Sequence, residues 1–128
     1  MTIEQLNTVL DNLCSLSAEN EIVEFKEAKN TYDFSKLGKY FSALSNEANL
    51  KGKAFAWLVF GVEDKKHNIV GTKFRLQRKD LDSLKGEIAK KTTNGISFIE
   101  IYEVIKPDGR ILMFQIPAAP KGIPIAFD

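Results

Sequence analysis

The sequence predicts an α+β fold, with a mixed, mostly antiparallel sheet of about five to six strands covered by about three helices. Three observations lead to this prediction. Apolar residues recur at helical spacing in three segments, and the apolar run Ala54–Val62 has the length of a buried strand. Pro107-Asp108-Gly109 is a strong turn signal between two further apolar segments. The 128 residues can build one compact core, so we expect a single domain over 1–128.

The first helix is predicted from a capping box, because Thr2 is followed three residues later by Gln5. Its apolar stripe recurs at steps of three and four residues, and the helix should end near Ser17. The stripe consists of Ile3, Leu6, Leu10, Leu13 and Leu16. Cys14 lies beside this stripe and is interpreted as a small buried hydrophobic residue.

Two further helices follow from the same periodicity. Asp33 should cap the second helix, and the polar segment Asn46–Lys53 should follow that helix as a loop. Its expected buried stripe is Phe34, Leu37, Tyr40, Phe41 and Leu44. Asp80 should begin the third helix. The apolar face of the third helix is Leu81, Leu84 and Ile88, with Lys85, Lys90 and Lys91 pointing outward.

Strands are predicted where β-branched and aromatic residues cluster. In Glu21–Lys26, alternation places Ile22, Glu24 and Lys26 on one face. The run Ala54–Val62 is expected to be the central strand. The remaining strands are a hairpin arm at Ile69–Phe74 and the pair Ser97–Ile105 and Arg110–Ile116, followed by an extended proline-containing tail at Pro117–Pro124.

Composition excludes several classes of protein. The 27% of charged residues and 44% of hydrophobic residues argue against disorder, and the apolar runs are too short for a membrane span. A single cysteine, Cys14, forms no internal disulfide, so we expect a cytoplasmic protein. The short apolar runs further predict that it has no membrane partner. The glycine-rich loops of ordinary nucleotide sites are absent from the sequence, and the single His67 is not expected to bind a metal.

The two halves of the chain differ in charge. The formal net charge is −4 from Met1 to Asp64 and +5 from Lys65 to Asp128. Lys65–Lys91 contains nine basic and three acidic residues, an excess that attracts phosphates or forms a solvated surface. The candidate phosphate ligands in this stretch are Lys65, Lys66, Lys73, Arg75, Arg78 and Lys79.

Acidic residues gather around the first strand and just after the central strand. If these strands are neighbours, their carboxylates converge at one edge of the sheet, where oxygen ligands suit Mg²⁺ or Mn²⁺. The acidic residues are Glu19, Glu21, Glu24 and Glu27 in the first group and Glu63 and Asp64 in the second. In Glu24-Phe25-Lys26 an ammonium shares a strand face with a carboxylate and could stabilise a phosphate. From spacing alone, a solvated acidic face is the simpler interpretation.

The motifs together resemble a known family. The segment Glu19–Lys26 resembles the Glu-x-x-x-x-Glu-Phe-Lys signature of the Alba-like DNA-binding domain of Schlafen proteins and of bacterial divergent AAA proteins and transcriptional regulators. Further segments match the helix end, the central strand, the strand after it and the late strand with its prolines. They are Ser42–Asn46, Leu58–Asp64, Ile69–Gly71 and Phe114–Pro120.

The resemblance implies a nucleic-acid-binding module of a longer protein, with DNA or RNA as partner and a downstream domain. In Schlafen relatives three acidic residues form a metal-dependent RNA-cleaving site, and these fall here on Glu19, Glu24 and Asp64, with Lys26 beside them. The same residues are then the catalytic candidates, with Mg²⁺ or Mn²⁺ as the cofactor. Cleavage by paired lobes further implies a homodimer.

Three functions follow from the sequence. The leading hypothesis is a sequence-tolerant DNA-binding domain of a bacterial transcriptional regulator. The second is a divalent-metal-dependent ribonuclease that uses Glu19, Glu24 and Asp64. The third is a non-catalytic dimerisation module or a divergent ATP-binding domain.

Overall fold

The computed structural model of the protein describes residues 1–15 and 21–128. These residues form three α-helices and four β-strands, together with a short 3₁₀ turn after the last helix. In chain order the elements are α1 (Ile3–Cys14), β1 (Val23–Lys26), α2 (Phe34–Leu50), β2 (Phe55–Phe60), α3 (Arg78–Ala89), β3 (Glu100–Lys106) and β4 (Gly109–Pro117).

The strands form a single mixed sheet in the order β1-β2-β4-β3. β1 runs parallel to β2, with Lys26 opposite Phe60, whereas β2 and β3 each pair antiparallel with β4. The predicted α+β class is therefore confirmed. The expectation of five to six mostly antiparallel strands is wrong for the described residues, which form four strands with one parallel pairing out of three.

Helices cover the sheet on both faces, and each face carries its own apolar cluster. On one face α1 packs against the sheet through Leu6, Leu10, Leu13, Phe25, Trp57, Val59, Ile111 and Met113. On the other face α2 and α3 pack through Leu37, Phe41, Leu44, Leu58, Phe60, Leu81, Leu84, Ile88 and Phe114. β2 is buried on both faces, as its continuous apolar run predicted.

The predicted starts of α1 and α2 are confirmed by their hydrogen bonds. The Thr2 hydroxyl accepts the backbone N–H of Gln5 at 3.1 Å, and the Gln5 side chain accepts the N–H of Thr2 at 2.8 Å. The Asp33 carboxylate accepts the N–H of Lys36 at 2.9 Å at the start of α2. These three bonds satisfy N–H groups that the start of a helix leaves without partners. Ile3 of the predicted stripe is 74% exposed.

Two predicted elements are wrong. The predicted loop Asn46–Lys53 is helical as far as Leu50, and the Asn46 side chain in this part of α2 bonds to the backbone of Ile125. The hairpin arm Ile69–Phe74 contributes one isolated bridge, from Ile69 to Val62. After Ile69 the backbone N–H groups bind partners other than a hairpin strand, so the segment is a fixed loop.

Boundaries also shift by a few residues. α3 begins at Arg78 after the N-cap residue Gln77, two residues before the predicted Asp80. The tail does not stay extended, because the N–H of Ile123 donates to the carbonyl of Pro120 in a turn at 3.0 Å. That turn brings Ile125 back onto α2. None of the helices in the described residues is long and apolar enough to cross a membrane.

Candidate nucleic-acid interface

The carboxyl ends of β1 and β2 meet at one edge of the sheet because the two strands are parallel. The N–H of Gly61 joins the two strand ends, because it donates to the carbonyls of Lys26 at 2.9 Å and Glu27 at 3.1 Å. Gly61 has φ of +96°, and a Cβ at this position would lie 2.7 Å from the carbonyl oxygen of Arg110. A glycine is therefore required where β2 leaves the sheet.

The turn after β2 is held by a compact set of hydrogen bonds. The N–H of Glu63 donates to the carbonyl of Asn68 at 3.0 Å, and the Asn68 amide donates to the Glu63 carboxylate at 2.7 Å. The N–H of His67, a residue with φ of +58°, donates to the carbonyl of Glu63. The turn therefore presents Lys65 and Lys66 in a defined conformation.

A groove of about 460 Å³ opens beside this turn, and we call it the acidic groove. It is lined by Glu27, Glu63, Asp64, Lys65, Lys66 and Asn68. The predicted convergence of acidic residues from β1 and β2 is thus observed for Glu27, Glu63 and Asp64. The groove contains three carboxylates and two lysines, so its own charge does not favour a phosphate.

Glu24 and Lys26 lie on the α2 side of β1 and do not line the acidic groove. Their side chains form an ion pair at 3.5 Å, and the Lys26 ammonium lies 4.7 Å from the centre of the Tyr40 ring. A side-chain hydrogen bond to Tyr40 raises the pKa of Lys26, which keeps the ammonium charged. Burial raises the pKa of the neighbouring Tyr32 hydroxyl.

The predicted metal ligands are not gathered into one site by the residues that the structure describes. Glu19 lies outside the described residues, Glu24 is paired with Lys26, and Asp64 lines the acidic groove. Within 1–15 and 21–128, no group of three histidine, cysteine or acidic side chains could hold a metal ion. The described carboxylates therefore do not by themselves fit Mg²⁺ or Mn²⁺, and the assignment of Glu19, Glu24 and Asp64 stays a prediction.

The two predicted arginine ligands are engaged within the protein. Arg75 donates to both carboxylate oxygens of Glu87, at 2.6 and 3.1 Å. Arg78 forms ion pairs with Asp82 and Glu100 and donates to a β3 carbonyl. The carboxylate partners balance the charge of each arginine and occupy part of its donors, so both are less available to a phosphate than an unpaired cation.

The four predicted lysines are more accessible. Lys65, Lys66, Lys73 and Lys79 are exposed, and none of them has an ion pair among the described residues. Exposed lysines without a carboxylate partner are available to bind phosphate groups. They are the members of the predicted set that the structure leaves available for phosphates.

A second groove of about 400 Å³, which we call the lysine groove, lies on the loop that replaces the expected hairpin arm. It is lined by Lys29, Asn30, Val70, Gly71, Thr72, Lys73, Leu76 and Arg110. Lys73 is one of the phosphate ligands predicted from the sequence, whereas Lys29 and Arg110 are not among them. Local pattern carries no signal for Arg110, because its partners lie 35 to 38 residues away.

The comparisons with known proteins agree with this architecture. A family model described as Schlafen, AlbA_2 matches residues 19–126. Among solved structures, the chain is similar to the crystal structure of the DIP2311 protein from Corynebacterium diphtheriae, with a TM-score of 0.60 and 20% identity. The match covers 97% of this chain and 24% of that chain, so it shows a shared fold over about a quarter of the other protein. No curated protein matches the sequence significantly.

The family match covers most of the sequence, including the strands and turns that form both grooves. It also covers the Glu-Phe-Lys segment, the central strand and the late strand that carried the sequence resemblance. On this basis the chain belongs to the Schlafen AlbA_2 family.

Proposed function

We propose that the chain binds nucleic acid through backbone phosphates, with little sequence preference, as the DNA-binding part of a transcriptional regulator. The observation that carries this proposal is the set of exposed lysines, Lys65, Lys66 and Lys73, in the connection that leaves the carboxyl end of β2 and leads to α3. Membership in the Schlafen AlbA_2 family supports a role connected with nucleic acid.

Lysine is suited to contacts that ignore sequence. Its ammonium acts as a point charge on a flexible stem and does not read the planar edges of bases. Each neutralised phosphate releases a counterion, so affinity falls as salt rises, with a log–log slope of about −0.9 per contact for duplex DNA and about −0.7 for single strands. Binding through several lysines should therefore depend steeply on salt and weakly on sequence.

The proposal is tested by titrating fluorescently labelled duplex DNA and single-stranded RNA with the protein at two salt concentrations. We expect binding at low salt to both an AT-rich and a GC-rich duplex with similar affinity. Changing Lys65, Lys66 and Lys73 together to alanine should reduce the affinity at least tenfold. The matched control is Lys90→Ala with Lys91→Ala, which removes exposed charges at the far end of α3. Absence of wild-type binding at low salt would refute the proposal.

A metal-dependent ribonuclease is the second candidate, favoured by the position of Asp64 with Glu63 and Glu27 around one groove. Its proposed ligands remain Glu19, Glu24 and Asp64. The test is incubation with tRNA and Mn²⁺, comparing the wild type with Glu24→Gln and Asp64→Asn. The control is Asp11→Asn, which removes an exposed carboxylate from α1. Cleavage that continues at the wild-type rate in both site variants would exclude this assignment.

A further inference from the structure

The two grooves differ in charge, and the difference bears on where phosphates bind. The acidic groove is lined by three carboxylates and two lysines. The lysine groove is lined by Lys29, Lys73 and Arg110, and no acidic residue is among its lining residues. The charge of Arg110 is balanced by Glu103, whose carboxylate lies 2.8 Å from its Nε, so the excess positive charge comes from the two lysines. A phosphate is therefore attracted more strongly to the lysine groove.

Two hydrogen bonds to backbone carbonyls bring the two lysines together. The N–H of Lys73 donates to the carbonyl of Lys29 at 2.7 Å, and the Thr72 hydroxyl donates to the carbonyl of Ala28. The Lys29 ammonium also lies 3.6 Å from the Glu27 carboxylate, but the side chains are 65% and 50% exposed. An ion pair so accessible to water is weak and yields readily to a phosphate. Both lysines are thus fixed at their backbones and available at their ammonium groups.

Arg110 holds the loop that carries Lys73. Its guanidinium donates to the carbonyls of Thr72 at 3.3 Å, Phe74 at 2.7 Å and Arg75 at 2.8 Å. The Arg110 side chain is only 11% exposed, so these bonds are well protected from solvent. Three carbonyls that converge on one guanidinium fix the path of the loop and allow Arg75 to adopt a φ of +43°.

A close backbone approach stabilises the same loop from β4. A Cβ on Gly109 would lie 2.6 Å from the Cα of Gly71, so both positions require the absence of a side chain. Gly71 itself has φ of +79°. The loop is therefore held against β4 through glycine packing and through Arg110.

We propose that Lys29, Asn30 and Lys73 form the main phosphate-binding site of the nucleic-acid interface, and that Arg110 is the residue that positions it. This inference rests on the proposed function and makes it more specific. The ligand is a phosphodiester group of the nucleic-acid backbone, bound by two ammonium groups with the Asn30 amide beside them. Lys65 and Lys66 then contribute less, because three carboxylates share their groove.

The test compares three double variants in duplex-DNA titrations over a range of salt: Lys29→Ala with Lys73→Ala, Lys65→Ala with Lys66→Ala, and Lys90→Ala with Lys91→Ala. For the first pair we expect the log–log salt slope to become shallower by about one to two, since each lost phosphate contact accounts for about 0.9. The second pair should change the slope by less than half as much, and the third should leave it unchanged. Wild-type binding with an unchanged slope in the first pair would overturn this inference alone, whereas absence of wild-type binding would refute the proposed function as well.

The positioning role of Arg110 is tested with Arg110→Lys, which keeps the charge but loses the fork of donors. We expect the salt slope of the folded protein to become shallower, as in the double variant Lys29→Ala with Lys73→Ala. If Arg110 only stabilised the fold, Arg110→Lys would lower the unfolding temperature and leave the salt slope of the folded protein unchanged. That result would overturn the positioning role. Lys29 and Lys73 are exposed, so their variants test the site even if Arg110→Lys does not fold.

Discussion

His67 and Cys14, which lie 53 residues apart in the sequence, are joined by a hydrogen-bond contact of 3.0 Å between the imidazole Nδ1 and the Cys14 carbonyl oxygen. The imidazole ring also packs on Phe25, with the ring centres 4.3 Å apart. The turn that carries Lys65 and Lys66 is therefore attached to the last turn of α1 and to β1. Burial raises the pKa of the Cys14 thiol, so at neutral pH it stays protonated, which suits packing rather than nucleophilic chemistry.

His67→Ala should lower the free energy of unfolding by roughly 1 to 3 kcal/mol, because it removes one hydrogen bond and one aromatic contact. His67→Phe keeps a ring against Phe25 but loses the hydrogen bond, so it should lower the free energy of unfolding by less than His67→Ala does. Urea denaturation at pH 7 measures the unfolding free energy of both variants. Equal stabilities of the wild type and His67→Ala would mean that the turn does not depend on this attachment.

Two helical glycines should respond to alanine in opposite ways. Gly86 in α3 has open space where a Cβ would lie, so Gly86→Ala should stabilise the protein by about 1 kcal/mol through helix propensity. In α2, a Cβ on Gly38 would lie 2.2 Å from the ring of Phe127, so Gly38→Ala should displace that ring and destabilise the protein by roughly 1 to 2 kcal/mol.

A double-mutant cycle with Phe127→Ala separates the two effects of Gly38→Ala. In the Phe127→Ala background the clash is gone, and Gly38→Ala should become stabilising, as Gly86→Ala is in the wild type. Thermal unfolding of the four proteins measures the coupling. If Gly38→Ala destabilises equally in both backgrounds, the clash with Phe127 is not its cause.

Asn46 holds the C-terminal segment on α2. Its amide donates to the Ile125 carbonyl at 2.9 Å, and its carbonyl oxygen accepts the Ile125 N–H at 2.7 Å. Asn46→Ala leaves the N–H of the buried Ile125 without its partner. It should therefore lower the free energy of unfolding by about 1 to 3 kcal/mol. Limited proteolysis of the tail should also become faster. The control is Asn49→Ala on the same helix, and a tail equally protected in Asn46→Ala and the control would contradict this role.

The parts of the fold that sequence predicted well are those determined by local spacing. The capping box at Thr2, the cap at Asp33 and the apolar run of β2 each depend on residues a few positions apart, and the structure confirms them. The Pro107-Asp108-Gly109 turn likewise joins β3 to β4, with Lys106 opposite Gly109. Helix periodicity and turn chemistry act over the same short range, which makes them visible in a single sequence.

The errors lie where distant residues determine local structure. The segment after Ser45 is polar and contains Gly52, which predicts a loop, yet its Asn46 bonds to Ile125, 79 residues away, within a helix that continues to Leu50. The loop after Ile69 does not pair as a strand, because its backbone bonds to the Arg110 guanidinium and to the Lys29 carbonyl. The candidate site shows the same division. Its lysines were visible as a charged stretch, whereas Arg110 and Lys29 become part of the site only through tertiary contacts.

The ion pair between Arg75 and Glu87 should make stability depend on pH in a defined window. The hydrogen bond from Arg75 lowers the pKa of Glu87 below its ordinary value of 4.5. Since the folded pKa is lower than the unfolded one, this stabilisation is fully present above about pH 4.5 and is lost as pH falls through the folded pKa. The Glu87 side chain is 43% exposed, so solvent screening should limit the effect to less than about 1 kcal/mol.

Glu87→Gln removes this contribution, so its stability at pH 7 should be slightly below that of the wild type. The two unfolding free energies should converge as the pH is lowered from 5 to below the folded pKa of Glu87. Urea denaturation across this pH range measures the difference, and Asp11→Asn controls for the loss of one negative charge. If the difference in unfolding free energy between the wild type and Glu87→Gln stays constant down to the lowest pH, the Glu87 carboxylate does not provide the stabilisation.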